Sequence, residues 1–206
     1  MFATDAPASP PAALSEAALV AAVSSLRLRG FAVIDGFLGH ELNGQVAEAC
    51  LQTTDLRTSP SEDKIKRKIA FVGGGGLCDA EVGKDAWRRH WLAADVLRQR
   101  LANHNVAAAK SSAATGLTLS RYEAGAALMR HFDSPKEKQG EFLTFLHFPL
   151  STHGGALRLW PNDGTEPMDL ACDADRMLVF DSCLDHQVLE LLFGVRFSLQ
   201  QTIYKL

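Results

Sequence analysis

Two short segments carry the side chains best suited to act together. The first, Ala127-Leu-Met-Arg-His-Phe-Asp133, ends on His131 and Asp133 with one residue between them. In an extended strand, residues i and i+2 point to the same face, so this imidazole and this carboxylate are expected to converge on one point from one side. They would leave most of a metal's coordination sphere open, and a third donor must come from elsewhere. The second segment, Phe180-Asp-Ser-Cys-Leu-Asp-His-Gln-Val188, offers His186 at the close of a strand and turn. Two imidazoles and one carboxylate with open positions are a ligand set for Fe(II) that must also take O2 and a chelating co-substrate.

Shortly after His186 comes Gly194-Val-Arg-Phe-Ser198. Arg196 alternates with apolar neighbours on a strand expected to be buried. A buried guanidinium needs a partner, and its fork geometry suits a carboxylate. Ser198 shares its face and can donate to the same anion. A keto diacid such as 2-oxoglutarate meets these demands, with its keto acid end on the metal and its distal carboxylate on Arg196. Each short match is weak alone. Their order raises the weight: His-x-Asp on a strand, a run of further strands, then His, then Arg-x-Ser on the last long strand.

These residues need a scaffold, and the sequence outlines one. Ser15 precedes Leu19, Val20, Val23 and Leu26 at helical spacing, and Gly30 stops that helix. Phe31 to Ile34 reads as a buried strand. Residues 38–51 read as a helix with Leu42, Val46 and Cys50 on one stripe, and residues 53–64 as an exposed polar loop. A strand over 65–72 runs into Gly73-Gly-Gly-Gly76, a flexible turn rather than a phosphate loop, because no Gly-Lys-Ser/Thr follows. Residues 85–109 read as one helix with Trp87, Trp91, Leu92, Val96 and Leu97 on its apolar side. From residue 116 onward short alternating runs separated by turn residues indicate a β sandwich or barrel. The fold class expected is α+β, with helices first and a β-rich core after them. Residues 1–13 are expected to be a mobile tail and 14–206 one domain, since the strands need a face to pack on.

Composition excludes several classes of function. The chain has 206 residues, 47% hydrophobic and 22% charged, the profile of a folded protein rather than a disordered or fibrous one. A net charge of -3 gives no basic footprint for nucleic acid. The apolar stretches fall short of the ~20 residues a membrane span requires. Cys50, Cys78, Cys172 and Cys183 are scattered without a Cys-x-x-Cys pair, against a zinc ribbon or a disulfide scaffold. A reducing compartment is expected, the cytoplasm first and the nucleus second.

The sequence resembles the Fe(II)/2-oxoglutarate dioxygenases of the prolyl 4-hydroxylase type, most closely the cytosolic oxygen-sensing prolyl hydroxylases. The resemblance runs from Gly30 to Tyr204. It is carried by Gly30-Phe-Ala-Val-Ile-Asp-Gly-Phe-Leu-Gly39, residues 65–72, Tyr122-Glu-Ala-Gly125 and Met129-Arg-His-Phe-Asp133. Further along, Gly154-Gly-Ala-Leu-Arg-Leu-Trp-Pro161, Asp175-Arg-Met-Leu-Val-Phe180, His186-Gln-Val188 and Gly194-Val-Arg196 continue it. It implies a double-stranded β-helix, or jelly roll, buttressed by the N-terminal helices. It implies Fe(II) on His131, Asp133 and His186, 2-oxoglutarate on Arg196 with Ser198 beside it, and the Tyr122 hydroxyl near that co-substrate. Leu146, Phe148, Leu157 and Val188 would line the pocket. O2 is the co-substrate implied, ascorbate the reductant, and a prolyl residue of a protein or peptide the substrate, with succinate and CO2 released. The chain departs from the family at Phe148, where a tyrosine often touches the distal carboxylate, and near Glu141, where the animal oxygen sensors place a basic residue. Residues 53–64 match a loop that closes over substrate.

Three other readings compete with a prolyl hydroxylase. They are a 2-oxoglutarate oxygenase of free amino acids or other small molecules, an inactive binding module on the same fold, and a zinc hydrolase. Catalytic zinc usually takes three His or two His and a Glu, and an intact triad with Arg196 disfavours an inactive module. The target protein and the oligomeric state stay open.

Overall fold

Alternating side chains on long strands build the molecule in layers. In the computed structural model, residues 14–54, 56–57, 67–73, 83–110 and 112–205 are described. The segments expected as a tail (1–13), most of the polar loop 53–64, the glycine turn beyond Gly73, and Cys78 lie outside them. The helices are α1 (Glu16–Arg29), α2 (His40–Gln52), α3 (Lys84–Asn103) and α4 (Ala107–Lys110). The strands are β1 (Phe31–Asp35), β2 (Arg67–Gly73), β3 (Ser112–Ala114), β4 (Leu117–Glu123), β5 (Leu128–His131) and β6 (Phe142–Phe148). They continue as β7 (Leu157–Leu159), β8 (Met168–Leu170), β9 (Arg176–Asp181), β10 (His186–Val188) and β11 (Val195–Lys205).

The strands form two antiparallel sheets. The larger runs β1-β9-β6-β11-β4-β2, with β3 also paired to β11, and the smaller runs β5-β10-β7-β8. This is the double-stranded β-helix with helices on its outer side. Period-two alternation divides the larger sheet between two cores. Leu119, Phe145, Val179, Phe197 and Leu199 face the helices and pack with Leu19, Val46, Trp87 and Leu101. The intervening Tyr122, Leu146, Phe148, Leu178 and Phe180 face the smaller sheet and pack with Leu157, Leu159 and Val188. On β11 the same alternation puts Arg196, Ser198 and Gln200 on the cavity side.

Local signals explain the helix ends. The Ser15 hydroxyl accepts from the Ala18 N–H, satisfying one of the free donors at the start of α1. Gly30, at φ 83°, ends it in the left-handed conformation that glycine adopts without penalty. Asp175 holds the entry to α2: its two carboxylate oxygens accept from the Leu38 and Gly39 N–H groups, each at 2.8 Å.

The structure differs from the sequence expectation in the third helix. The single helix over 85–109 is two, because Asn105 turns back at φ 61° and restarts the chain as α4. Its buried face is Ala86, Trp87, His90, Ala93, Ala94, Leu97 and Leu101, a regular 3.6-residue stripe. Leu92 and Val96, expected on that face, are 46% and 40% exposed. His90 sits in the core against His147, with ring centroids 5.0 Å apart. Burial holds both imidazoles below the ordinary histidine pKa. His147 adds to the effect on His90, and Asp175 partly offsets it at His147. No helix among the described residues is long and apolar enough to cross a membrane.

Candidate active site

Strand register brings the two histidines together. His186, the first residue of β10, pairs with His131, the last residue of β5. Their ring centroids lie 4.1 Å apart. Asp133 arrives differently from the expectation. β5 ends at His131, so Asp133 is not a same-strand neighbour projecting beside it. It lies on the following bend, where its N–H and that of Ser134 donate to the Ser182 carbonyl, at 2.8 and 2.9 Å. The turn between β9 and β10 thus sets the carboxylate opposite both rings.

The orientation of each donor is fixed. The Nδ1 atom of His131 lies 2.7 Å from the Met129 carbonyl, and that of His186 lies 2.9 Å from the Leu184 carbonyl. A carbonyl only accepts, so each Nδ1 carries the proton and each neutral ring leaves the Nε2 lone pair free. Both Nε2 atoms face one carboxylate oxygen, Asp133 Oδ1, at 3.9 Å for His131 and 3.7 Å for His186. The three ligand atoms lie within 4.8 Å of one another, which permits one metal ion between them. Burial lowers the His186 pKa; Asp133 opposes that shift and His131 adds to it, so the ring is neutral near pH 7.

Arg196 lies deeper in the same cavity, where β11 pairs it with Tyr122 of β4. It is 1% exposed. Its guanidinium carbon lies 4.8 Å from the centroid of the Tyr122 ring and 5.1 Å from that of Phe148. Its Nε donates to the Cys172 thiol at 3.2 Å. Its Nη1 has no partner, and no carboxylate among the described residues pairs with it. A buried cation left in that state is costly, and an anion in the cavity would relieve that cost. Gly155 makes room for the arginine stem: a Cβ there would come within 3.1 Å of Arg196 Cδ, and its φ of 64° already favours glycine.

The cavity joins these groups. Its wall includes His131, Asp133, His186, Tyr122, Arg196 and Ser198, together with Leu146, Leu157 and Val188. Phe148 lies behind the guanidinium rather than on the wall, fully buried. Sequence reasoning missed several residues. Arg67 and Phe180 also line the cavity, and the Arg67 Nη1 donates to the Tyr122 hydroxyl at 3.4 Å. Thr144 and Gln200 bond the outer oxygen of Asp133, and Cys172 bonds Arg196. None carries a motif signal; each acts through a register that only the folded sheets reveal. At the rim, Met129 and Phe132 are 81% and 45% exposed. Beside them Asp185 accepts from Arg130 at 2.6 Å and Lys136 at 3.1 Å.

Comparison with known proteins agrees with this geometry. Residues 117–204 match the model of the 2OG-Fe(II) oxygenase superfamily. The chain is similar to a prolyl hydroxylase from Trichoplax adhaerens, solved with a peptide fragment of the hypoxia-inducible factor oxygen degradation domain, at 22% identity and TM-score 0.72, covering 91% of this chain and 89% of that one. It is similar to a prolyl-4-hydroxylase from Pseudomonas putida at 22% identity and TM-score 0.74, covering 91% and 99%. It is also similar to SnoN, an α-ketoglutarate-dependent epimerase of nogalamycin biosynthesis, at 16% identity and TM-score 0.71, covering 93% and 84%. No curated protein sequence matches the chain.

Proposed function

We propose that the chain, whose residues 117–204 match the 2OG-Fe(II) oxygenase superfamily model, is a 2-oxoglutarate-dependent dioxygenase that hydroxylates a prolyl residue of a cytosolic protein at the 4-position. His131, Asp133 and His186 would hold Fe(II), and Arg196 the distal carboxylate of 2-oxoglutarate. The observation that carries this reading is the fully buried Arg196, which lacks a carboxylate partner among the described residues and opens onto the same cavity as the three candidate metal donors.

The residues present fit both groups. Two imidazoles whose Nδ1 atoms are engaged by carbonyls, leaving Nε2 to face the site, and one carboxylate oxygen match Fe(II) in donor type and number. Bound iron supplies activation of O2 coupled to oxidative decarboxylation of 2-oxoglutarate to succinate and CO2. The chain's own residues bind, orient and exclude water. Arg196 sets the length of diacid accepted, with Ser198 a second donor on its face and Tyr122 beside the co-substrate. Leu146, Leu157 and Val188 keep the cavity apolar, protecting reactive chemistry from side reactions. Ascorbate would serve as the reductant that restores the ferrous state.

A polypeptide substrate is supported by the exposed Met129 and Phe132 at the rim, and by the peptide held by the Trichoplax protein. The resemblance to the epimerase of nogalamycin biosynthesis, also solved with nogalamycin RO bound, supports the second reading, a small-molecule oxygenase. Proteome peptides incubated with protein, Fe(II) and 2-oxoglutarate separate the two. Mass spectrometry finding one added oxygen on proline, lost when that proline is replaced by alanine, supports the first. Succinate release that no peptide stimulates, but a small molecule does, supports the second.

A further inference from the structure

Resting on the ferrous-site reading above, we infer that Thr144 and Gln200 are positioning residues that make Asp133 a one-oxygen ligand. Only Oδ1 of Asp133 faces the two imidazoles. The other oxygen, Oδ2, accepts from the Thr144 hydroxyl at 2.8 Å and from the Gln200 side-chain amide at 3.2 Å. Thr144 is completely buried. Its hydroxyl also meets the Ser182 hydroxyl at 2.9 Å. A hydroxyl has one proton, and an ionised carboxylate only accepts. Thr144 therefore donates to Asp133, and Ser182 donates to Thr144.

This chain of donors joins three parts of the scaffold. Thr144 is on β6, Gln200 on β11 and Ser182 on the turn after β9. The Ser182 carbonyl also accepts the Asp133 N–H, so one residue anchors both the backbone and, through Thr144, the side chain of the ligand. For both oxygens to reach one metal, the carboxylate would have to turn and break both hydrogen bonds on Oδ2. That would leave a buried hydroxyl and an amide without an acceptor. It would also consume a coordination position that a chelating keto acid and O2 require. The network keeps that position open.

The test compares Thr144→Val, close to isosteric but without a donor, with Thr144→Ser, which restores the hydroxyl. Gln200→Met removes the second donor at a half-buried position, outside the tight core that a Thr144 change disturbs. Circular dichroism and melting establish that each variant is folded. Two readouts are independent of turnover: Mn(II) affinity by electron paramagnetic resonance, and the visible absorption that appears when 2-oxoglutarate is added anaerobically to the Fe(II) protein. Outer-shell partners of metal ligands typically govern metal affinity by 10–100-fold. Thr144→Val is expected to weaken Mn(II) binding at least ~10-fold and to shift the absorption band, Gln200→Met to do so less, and Thr144→Ser to restore both. Folded Val and Met variants with wild-type affinity and an unshifted band would overturn the inference. A wild-type protein that binds no Mn(II), or binds it equally well as Asp133→Ala, would overturn the ferrous-site reading itself.

Discussion

Replacing Arg196 with methionine separates a ligand-binding arginine from a structural one, because the two roles differ in the sign of the stability change. The wild-type guanidinium is fully buried beside the Cys172 thiol, the Tyr122 side chain and the Phe148 ring, with Nη1 unbonded and no carboxylate partner among the described residues. Removing it from the empty protein eliminates an uncompensated buried charge, a burden of several kcal/mol, while the unbranched methionine keeps most of the stem packing. The empty variant should therefore melt no lower than wild type, and each kcal/mol gained would raise the melting temperature by roughly 2–4 °C for a chain of this size. Binding of 2-oxoglutarate should change the opposite way. Losing one partner of a buried, hydrogen-bonded charge pair costs about 2–5 kcal/mol. At 1.4 kcal/mol per factor of ten, that is a weakening of roughly thirty- to several-thousand-fold. Calorimetric titration of 2-oxoglutarate into the metal-loaded proteins, with melting curves of the empty ones, measures both. Unchanged 2-oxoglutarate affinity, or a clear loss of stability in the empty variant, would refute the reasoning.

Four further outcomes follow from the same geometry. Asp133→Ala should abolish 2-oxoglutarate turnover, with metal analysis of the purified variant showing the loss of bound iron. Gly155→Ala should raise the KM for 2-oxoglutarate in steady-state assays, because its Cβ meets Arg196 Cδ at 3.1 Å and its positive φ disfavours any side chain. Phe148→Tyr adds a hydroxyl beside the guanidinium but off the cavity wall, where it can accept from Arg196 and compete with the diacid, so it should raise that KM by about the worth of one hydrogen bond, roughly 0.5–1.5 kcal/mol. The fourth concerns pH and the buried pair His90 and His147, whose folded pKa values lie below the ordinary 6.5. As pH falls below that value the unfolded chain takes up protons that the folded chain refuses. Stability is therefore complete above it and falls by up to about 1.4 kcal/mol per pH unit for each histidine until the folded pKa is reached. Denaturant melts of His90→Leu should show a shallower decline below pH 6.5, and an unchanged slope would contradict this.

The three candidate donors, which the structure brings together, and Arg196 could be picked out in the sequence because such side chains are rare in apolar strands and their order is informative. A histidine or arginine alternating with Leu, Val and Phe calls for a partner wherever the strand is buried. The β-rich half was similarly legible, since polar and apolar residues alternate in β4 and β11, and β6 and β9 are short, apolar, buried runs bounded by turn residues. The path of Asp133 was not, because the end of β5 depends on the Ser182 carbonyl capturing the next backbone donors, a contact distant in sequence. Asn105 carries no glycine or proline warning of the break between α3 and α4. Thr144 and Gln200 look like ordinary strand residues until pairing aims them at one oxygen. The side chain of Phe148 was expected on the cavity wall, but it is fully buried against the Arg196 guanidinium and is not part of the lining.

Anaerobic titration of 2-oxoglutarate into protein reconstituted with ferrous iron tests most directly whether one ion and one diacid share this cavity. The wild type should develop a visible charge-transfer band that saturates at one equivalent of each. His186→Ala and Asp133→Ala should develop none, and Arg196→Met should reach it only at much higher 2-oxoglutarate. A wild type without the band, or one whose band survives loss of His186 or Asp133, would contradict the account.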